Sequence, residues 1–232
     1  MEAKPRGLIV LENLTAVMFI IAVGMVFFYA PTEAVMGNVQ KVFYFHVAAA
    51  WVGMLGFMAA GVAGIAYLRK NDRKWDIVSM AAVELSLVFF FIAIVLGSIW
   101  ARPAWNTWWT WDPRLTTATV VELVYAAYLL LRQGIDEPDK RARFGAVYTI
   151  VGFISVPLTF LSIRLLRTIH PVVVGDNNPE AEGGFSMTAP MRLTFFFSLI
   201  TFSFVFVTLL WHRIRLGKLA EKVEQLRLKL SV

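Results

Sequence analysis

Eight tryptophans, three histidines and no cysteine define the side-chain chemistry open to this chain of 232 residues. Without a thiol it forms no disulfide, ligates no iron–sulfur cluster through cysteine and attaches no c-type haem to itself. Five of the tryptophans crowd into residues 100–111, and four of these belong to WNTWWTWDPRLT at 105–116. Indole has a large flat apolar face and a single N–H donor, so it suits either a membrane interface or a flat hydrophobic ligand. An aromatic belt places roughly one or two such rings at a helix end, and five in so short a stretch exceeds that. Trp105, Trp108 and Trp109 stand at i, i+3 and i+4. A short helix along the membrane surface would present them as one plate, with Asp112 continuing the stripe and Trp111 turned away. Asp112 followed by Pro113 is also a helix-start signal, an N-cap and a first-turn proline, and such a cap would fix the angle of the plate.

Two of the histidines sit in suggestive surroundings. In VFYFHVAAAW, helical spacing from His46 brings Ala49, Ala50 and Gly53 onto its face, leaving room beside the imidazole for a flat group or for a closely packed helix. In SIRLLRTIHP, Arg164, Arg167 and His170 recur every third residue. A helix extended that far would line them along one stripe, ending where Pro171 disfavours helix in the residue before it. Two guanidiniums beside an imidazole suit a ligand that carries a metal and carboxylates. Ordinary helix packing of His46 and a solvated, interfacial face for the arginines are the competing readings of the same residues.

The elements that must position these groups are membrane helices. With 58% hydrophobic and 16% charged residues, and several apolar runs near twenty residues, the chain exceeds what a soluble core of this length needs. Six spans are expected, at 8–30, 42–68, 77–100, 115–131, 144–163 and 191–211, forming an all-α bundle, since barrel strands would be shorter and alternating. The first span is too long for a signal peptide and reads as a retained anchor. Residues 1–212 form the membrane domain and 213–232 a basic amphipathic cytoplasmic tail, in which Leu216, Leu219, Val223, Leu226 and Leu230 alternate at three-and-four spacing.

Orientation follows from the basic residues outside the spans. Lys4 and Arg6, two pairs at 69–74, four residues at 132–143 and six in the tail share one side, leaving Lys41, Arg102, Arg114, Arg164, Arg167 and Arg192 of the 22 on the other. The positive-inside rule then makes both termini cytoplasmic. The net charge of +6 encodes topology and contact with anionic headgroups, with no call for nucleic acid. The loops at 31–41, 101–114 and 164–190 lie outside, so His46, His170 and the tryptophans share a compartment, while His212 is at the inner end of span six. A flat apolar plate, two imidazoles and an arginine pair on one side, with no thiol, together describe a site for haem.

RPAWNTWWTWDPRLT closely resembles the signature of the CcmC-type haem-handling subunit of the cytochrome c maturation system, within the wider haem-handling superfamily that carries a tryptophan-rich WWD motif. YFHVAAAW and RTIHP are similar to its two histidine segments, and the resemblance covers essentially the whole chain. Asn106 and Ala48 depart from the glycine and proline frequent at those places in the family. The resemblance implies that His46 and His170 are axial ligands of haem iron, and that Trp105, Trp108, Trp109, Trp111 and Asp112 belong to the haem-binding motif. It implies b-type haem as a handled ligand, presented at the outer face of a bacterial or archaeal cell membrane and passed to a membrane-anchored haem chaperone. The implied partners are an ABC-type ATPase, a second permease-like subunit and a small single-span subunit, and the activity is haem transfer rather than conventional enzymology.

Two other functions fit the composition. A membrane b-type electron-transfer cytochrome would hold its haem permanently, and a permease for another amphipathic solute would show no haem spectrum. Glu84 in span three and Glu122 in span four are intramembrane carboxylates without an obvious basic partner, and packing against a polar neighbour accounts for both.

Overall fold

The computed structural model describes residues 3–34, 36–173 and 186–230, apart from the side chain of Leu228. Among the described residues seven α-helices carry the fold: α1 (Arg6–Gly24), α2 (Val42–Lys70), α3 (Arg73–Trp105), α4 (Pro113–Gln133), α5 (Pro138–Phe153), α6 (Ser155–Leu165) and α7 (Ala189–Leu230). One π turn (Met25–Tyr29) prolongs α1 and one 3-10 turn (Asn38–Lys41) leads into α2. An isolated β-bridge joins Glu33 and Gly37. Six segments are long and apolar enough to cross a membrane, with α5 and α6 together making the fifth. Five contain the span expected from the sequence and the first covers all of it but residue 30, and six crossings bring both ends of the chain to one side.

Local chemistry explains where the helices stop. Asn71 takes the left-handed conformation (φ 49°) that ends α2, and Asp72 accepts the Lys74 N–H at 2.9 Å to begin α3, so two residues suffice to reverse the chain. The α5–α6 break at Ile154 lies just ahead of Pro157, whose ring opposes the Phe153 carbonyl and which donates no hydrogen bond. At the same break Ser155 Oγ donates to the Gly152 carbonyl at 2.6 Å.

α2 is the central helix, packed on α3, α5 and α7. At Gly56 a Cβ would fall 2.0 Å from Ser86 Oγ and 2.4 Å from the Phe206 ring, so only glycine lets α3 and α7 close there. Toward the chain ends the bundle is filled. Phe57 stacks on Tyr125 with centroids 3.9 Å apart, Phe90 meets Phe57 edge-on, and Tyr128 is fully buried. Beyond them Arg132 grips Asp76 through two hydrogen bonds of 2.5 and 3.0 Å.

α7 runs unbroken through residues 189–230, so the sixth span and the basic tail are one helix. Its second half returns to the bundle: Arg213 donates to Glu84 at 2.8 Å, Arg73 pairs with Glu221 at 3.4 Å, and Gly217 lies against Ile77. Glu84 therefore has a basic partner that spacing did not reveal, because Arg213 reaches it from 129 residues away. Glu122 keeps one buried carboxylate oxygen without a hydrogen bond among the described residues.

Candidate functional site

At the end of the bundle opposite the termini, α2 and α3 splay from α4, α6 and α7 around a cavity of about 780 Å³. That size is typical of a small-molecule or cofactor site. Its floor, at Met54 and Phe90, lies on the closed aromatic core. Its walls are aliphatic and aromatic, and the ionisable groups among its lining residues are His46, His170, Arg114 and Arg164.

His46 stands in the first turns of α2, and its Nδ1 lies 2.7 Å from the Ala93 carbonyl of α3. Gly97, one turn further along α3, makes the room: a Cβ there would fall 2.8 Å from His46 Cε1. Of the residues on the expected small-residue face, Ala50 borders the cavity, whereas Ala49 packs into the core and Gly53 accommodates Phe90. His170 enters from the segment after α6, and its Nδ1 lies 3.0 Å from the Pro171 carbonyl. A carbonyl is acceptor only, so each ring holds its proton on Nδ1 and keeps Nε2 as a lone-pair donor. Among the described residues neither Nε2 makes a hydrogen bond. Desolvation in the cavity, reinforced by the Arg114 charge and by His46, pulls His170 down from its ordinary value to about 3. It is thus neutral, the form that binds metals, throughout the physiological range.

The two imidazole centroids are 6.5 Å apart with planes inclined by 46°. Two imidazole–metal bonds of about 2 Å, each with about 1 Å more to the ring centre, span about 6 Å. The pair therefore fits a single metal ion held between the rings, provided the equatorial positions are filled by something flat and apolar, which the walls accommodate.

The tryptophans supply much of that wall. α3 continues past the expected end of its span to Trp105, and Asn106, in the left-handed conformation (φ 55°), stops it. Asparagine is the residue that, after glycine, best tolerates this conformation, so the turn forms without strain. Trp105 meets Trp100 edge-on at 5.8 Å and His170 edge-on at 6.4 Å, and Trp100 donates its indole N–H to the buried Gln40 at 3.1 Å. Residues 106–112 form no helix, so the single plate expected of Trp105, Trp108 and Trp109 is replaced by rings converging on the cavity from a helix end and a loop. Trp111 does turn away: it is 76% exposed, edge-on to Trp109 and outside the lining.

The arginine stripe is not formed. α6 ends at Leu165 and Leu166 is extended (φ −118°, ψ 152°), so Arg164, Arg167 and His170 do not share a helix face. Arg164 borders the cavity, and Arg167 is exposed beyond it. Arg114 reaches the cavity instead, with a guanidinium hydrogen bond to the Thr159 carbonyl of α6. Asp112 caps α4 as expected, accepting the Arg114 N–H at 2.8 Å, but its carboxylate lies outside the lining.

The sequence profile of the family described as Heme exporter protein C matches residues 2–229. The chain belongs to the haem exporter protein C family. It is 31% identical over 200 residues to Heme exporter protein C of Bradyrhizobium diazoefficiens, covering 86% of this chain and 74% of the relative. The Rhodobacter capsulatus protein of the same name is 30% identical over 201 residues, covering 86% and 81%. That of Escherichia coli K12 is 29% identical over 170 residues, covering 73% and 68%.

For this member of the haem exporter protein C family, sequence reading overlooked Arg114 and Gly97. Arg114 did leave a signal: a cation in the first turn of a helix opposes the macrodipole and needs another reason to be there. Gly97 left none, because only the approach of His46 from a different helix gives it a role.

Proposed function

We propose that the chain holds haem in this cavity at the outer face of the membrane and hands it to a membrane-anchored haem chaperone for cytochrome c maturation. The observation that carries the reading is the pair of Nδ1-anchored imidazoles 6.5 Å apart inside one apolar, tryptophan-walled cavity. In this reading His46 and His170 ligate the iron, and Trp105, Trp108 and Trp109 cover the b-type porphyrin. Arg114 and Arg164 pair with the propionates, with Arg167 at the rim. Trp111 extends the motif's surface outward, where an acceptor would approach. Two exchangeable imidazoles suit transfer, since an acceptor's own ligand can replace one without releasing bare haem to water. In this reading the chain works in a bacterial cell membrane beside an ABC-type ATPase, a second permease-like subunit and a small single-span subunit, and membership of a haem exporter family supports the exporter role.

The absorption spectrum of the purified protein titrated with haemin tests the reading. A six-coordinate bis-histidine Soret band, sharp α and β bands on reduction, and release to the chaperone on mixing are expected. A protein without haem affinity would refute it. Haem that cycles its iron with quinol and is never released would make the chain an electron-transfer cytochrome.

A further inference from the structure

Asp112 is buried, 9% exposed, at the junction of the tryptophan loop and α4, and three donors converge on it. One oxygen accepts the Arg114 N–H at 2.8 Å and the Thr168 hydroxyl at 2.8 Å, and the other accepts the Ile169 N–H at 2.9 Å. Thr168, 2% exposed, uses the same hydroxyl oxygen to accept the N–H of His170 at 3.0 Å. A relay therefore runs from the carboxylate through Thr168 to the backbone of His170, across 56 residues of sequence. The segment it grips has no helix to hold it, because α6 has ended at Leu165.

We infer that Asp112 is the positioning residue for the His170 imidazole, locking the segment Thr168-Ile169-His170 to the start of α4 so that the ring points into the cavity. The carboxylate does not touch the ligand. It converts the tryptophan loop and the histidine segment into one unit, so that two of the cavity's walls move together. A carboxylate is required because its two oxygens are acceptors only. Asparagine in the same pose keeps the Oδ1 contacts to Arg114 and Thr168 but turns an N–H toward the Ile169 N–H. The inference rests on the reading of His170 as an iron ligand, and its first test does not.

That test is amide hydrogen exchange on the full-length protein in lipid nanodiscs without haem, comparing wild type with Thr168→Val, Thr168→Ser, Asp112→Asn and Asp112→Ala. Thr168→Val keeps the shape and removes the hydroxyl without disturbing the α4 cap, so exchange at Ile169 and His170 should rise about tenfold, the scale set by one hydrogen bond to a charged partner. Thr168→Ser should restore wild-type exchange, and Asp112→Asn should accelerate Ile169 while the first turn of α4 stays protected. Asp112→Ala should release all of these, with exchange in α2 and α3 reporting that the bundle is intact. In the second test haemin is added: Thr168→Val should lose low-spin, bis-histidine character and shift the midpoint potential, and Thr168→Ser should recover both. Unchanged exchange in Thr168→Val overturns the tie. Faster exchange with wild-type bands and potential reduces it to a loop anchor and overturns the positioning role. If His170→Ala itself leaves the haem bands unaltered, the ligand assignment is what has failed, and the exchange data still decide whether the tie exists.

Discussion

The two ends of the α2–α3 pair are built from the same helices and treat polar groups in opposite ways. At the end nearer the termini, each buried charge is matched within the protein: Arg132 and Asp76, 8% and 5% exposed, are joined by two hydrogen bonds, with the Tyr128 hydroxyl 3.3 Å from the same guanidinium. Stacked aromatics fill the space above them. At the other end, Gly97 leaves room for the His46 ring and the helices border a cavity of about 780 Å³. The imidazoles there are anchored by one nitrogen only, each presenting the other to the cavity. In a low-dielectric bundle a satisfied polar pair rigidifies the structure, whereas a half-satisfied group is a binding site in waiting.

Breaking the closed end should produce the largest change and leave ligand chemistry alone. Asp76→Ala strands the Arg132 guanidinium in the core and should cost about 3–5 kcal/mol of stability. The measurement is denaturation in mixed micelles, and the surviving folded fraction should keep the wild-type haem spectrum. A spectral change in that fraction would mean that the two ends are coupled.

At the open end, His46→Ala and His170→Ala should each remove one iron ligand and lower haem affinity by about 100-fold or more, beyond the loss usual for an outer-shell partner. Haemin titration should show the low-spin Soret band giving way to a five-coordinate one, with the level of inserted protein unchanged. His212→Ala, whose ring pairs with Glu12 at 2.5 Å near the termini, should titrate as wild type.

Gly97→Ala sharpens the comparison, because it adds one methyl group to the wall, against the His46 ring, and no polar atom of its own. Its Cβ would displace the His46 ring, and overpacking of this kind costs about 1–3 kcal/mol. The expected readout is weakened haem binding with a shifted α band. Gly134→Ala, where the nearest atom to a new Cβ is 3.7 Å away, should change neither.

A further effect is expected from pH. His170 is held near 3 in the folded protein, against about 6.5 when exposed. Above about 6.5 both states are neutral and its contribution is complete. As pH falls toward 3, the unfolded chain takes up a proton that the folded chain refuses, so stability declines by up to about 1.4 kcal/mol per unit. Unfolding midpoints between pH 4 and 7 should therefore fall more steeply in wild type than in His170→Ala. Equal slopes would show that the ring titrates freely. The smallest effect belongs to the tail: truncation after Leu216 keeps the Arg213–Glu84 contact and removes Glu221, so the haem spectrum should not move.

Much of the site was legible because its residue types are rare in membrane spans. His46, His170 and the tryptophan cluster stand out by composition and placement alone, and the cap formed by Asp112 and Pro113 is a local signal that the structure reproduces. What spacing misjudged were the segments whose helicity depends on their neighbours. The arginine stripe assumed that α6 continues to His170, and the tryptophan plate assumed a surface helix at residues where Asn106 turns the chain aside.

The sequence by itself determined the six crossings, the shared side of its termini and the gathering of imidazole and indole at one end. Hydrophobic length, the parity of the spans and the positions of unusual side chains are all written along a single dimension. Only the tertiary structure decided which nitrogen of each histidine faces the cavity, that Arg114 lines it while Arg167 does not, and that Asp112 holds the segment of His170. Each of these depends on a partner between 45 and 57 residues away or on the direction of a loop without periodicity. A one-dimensional pattern fixes the face of a helix, and the depth and neighbours of that face exist only once other helices have packed against it.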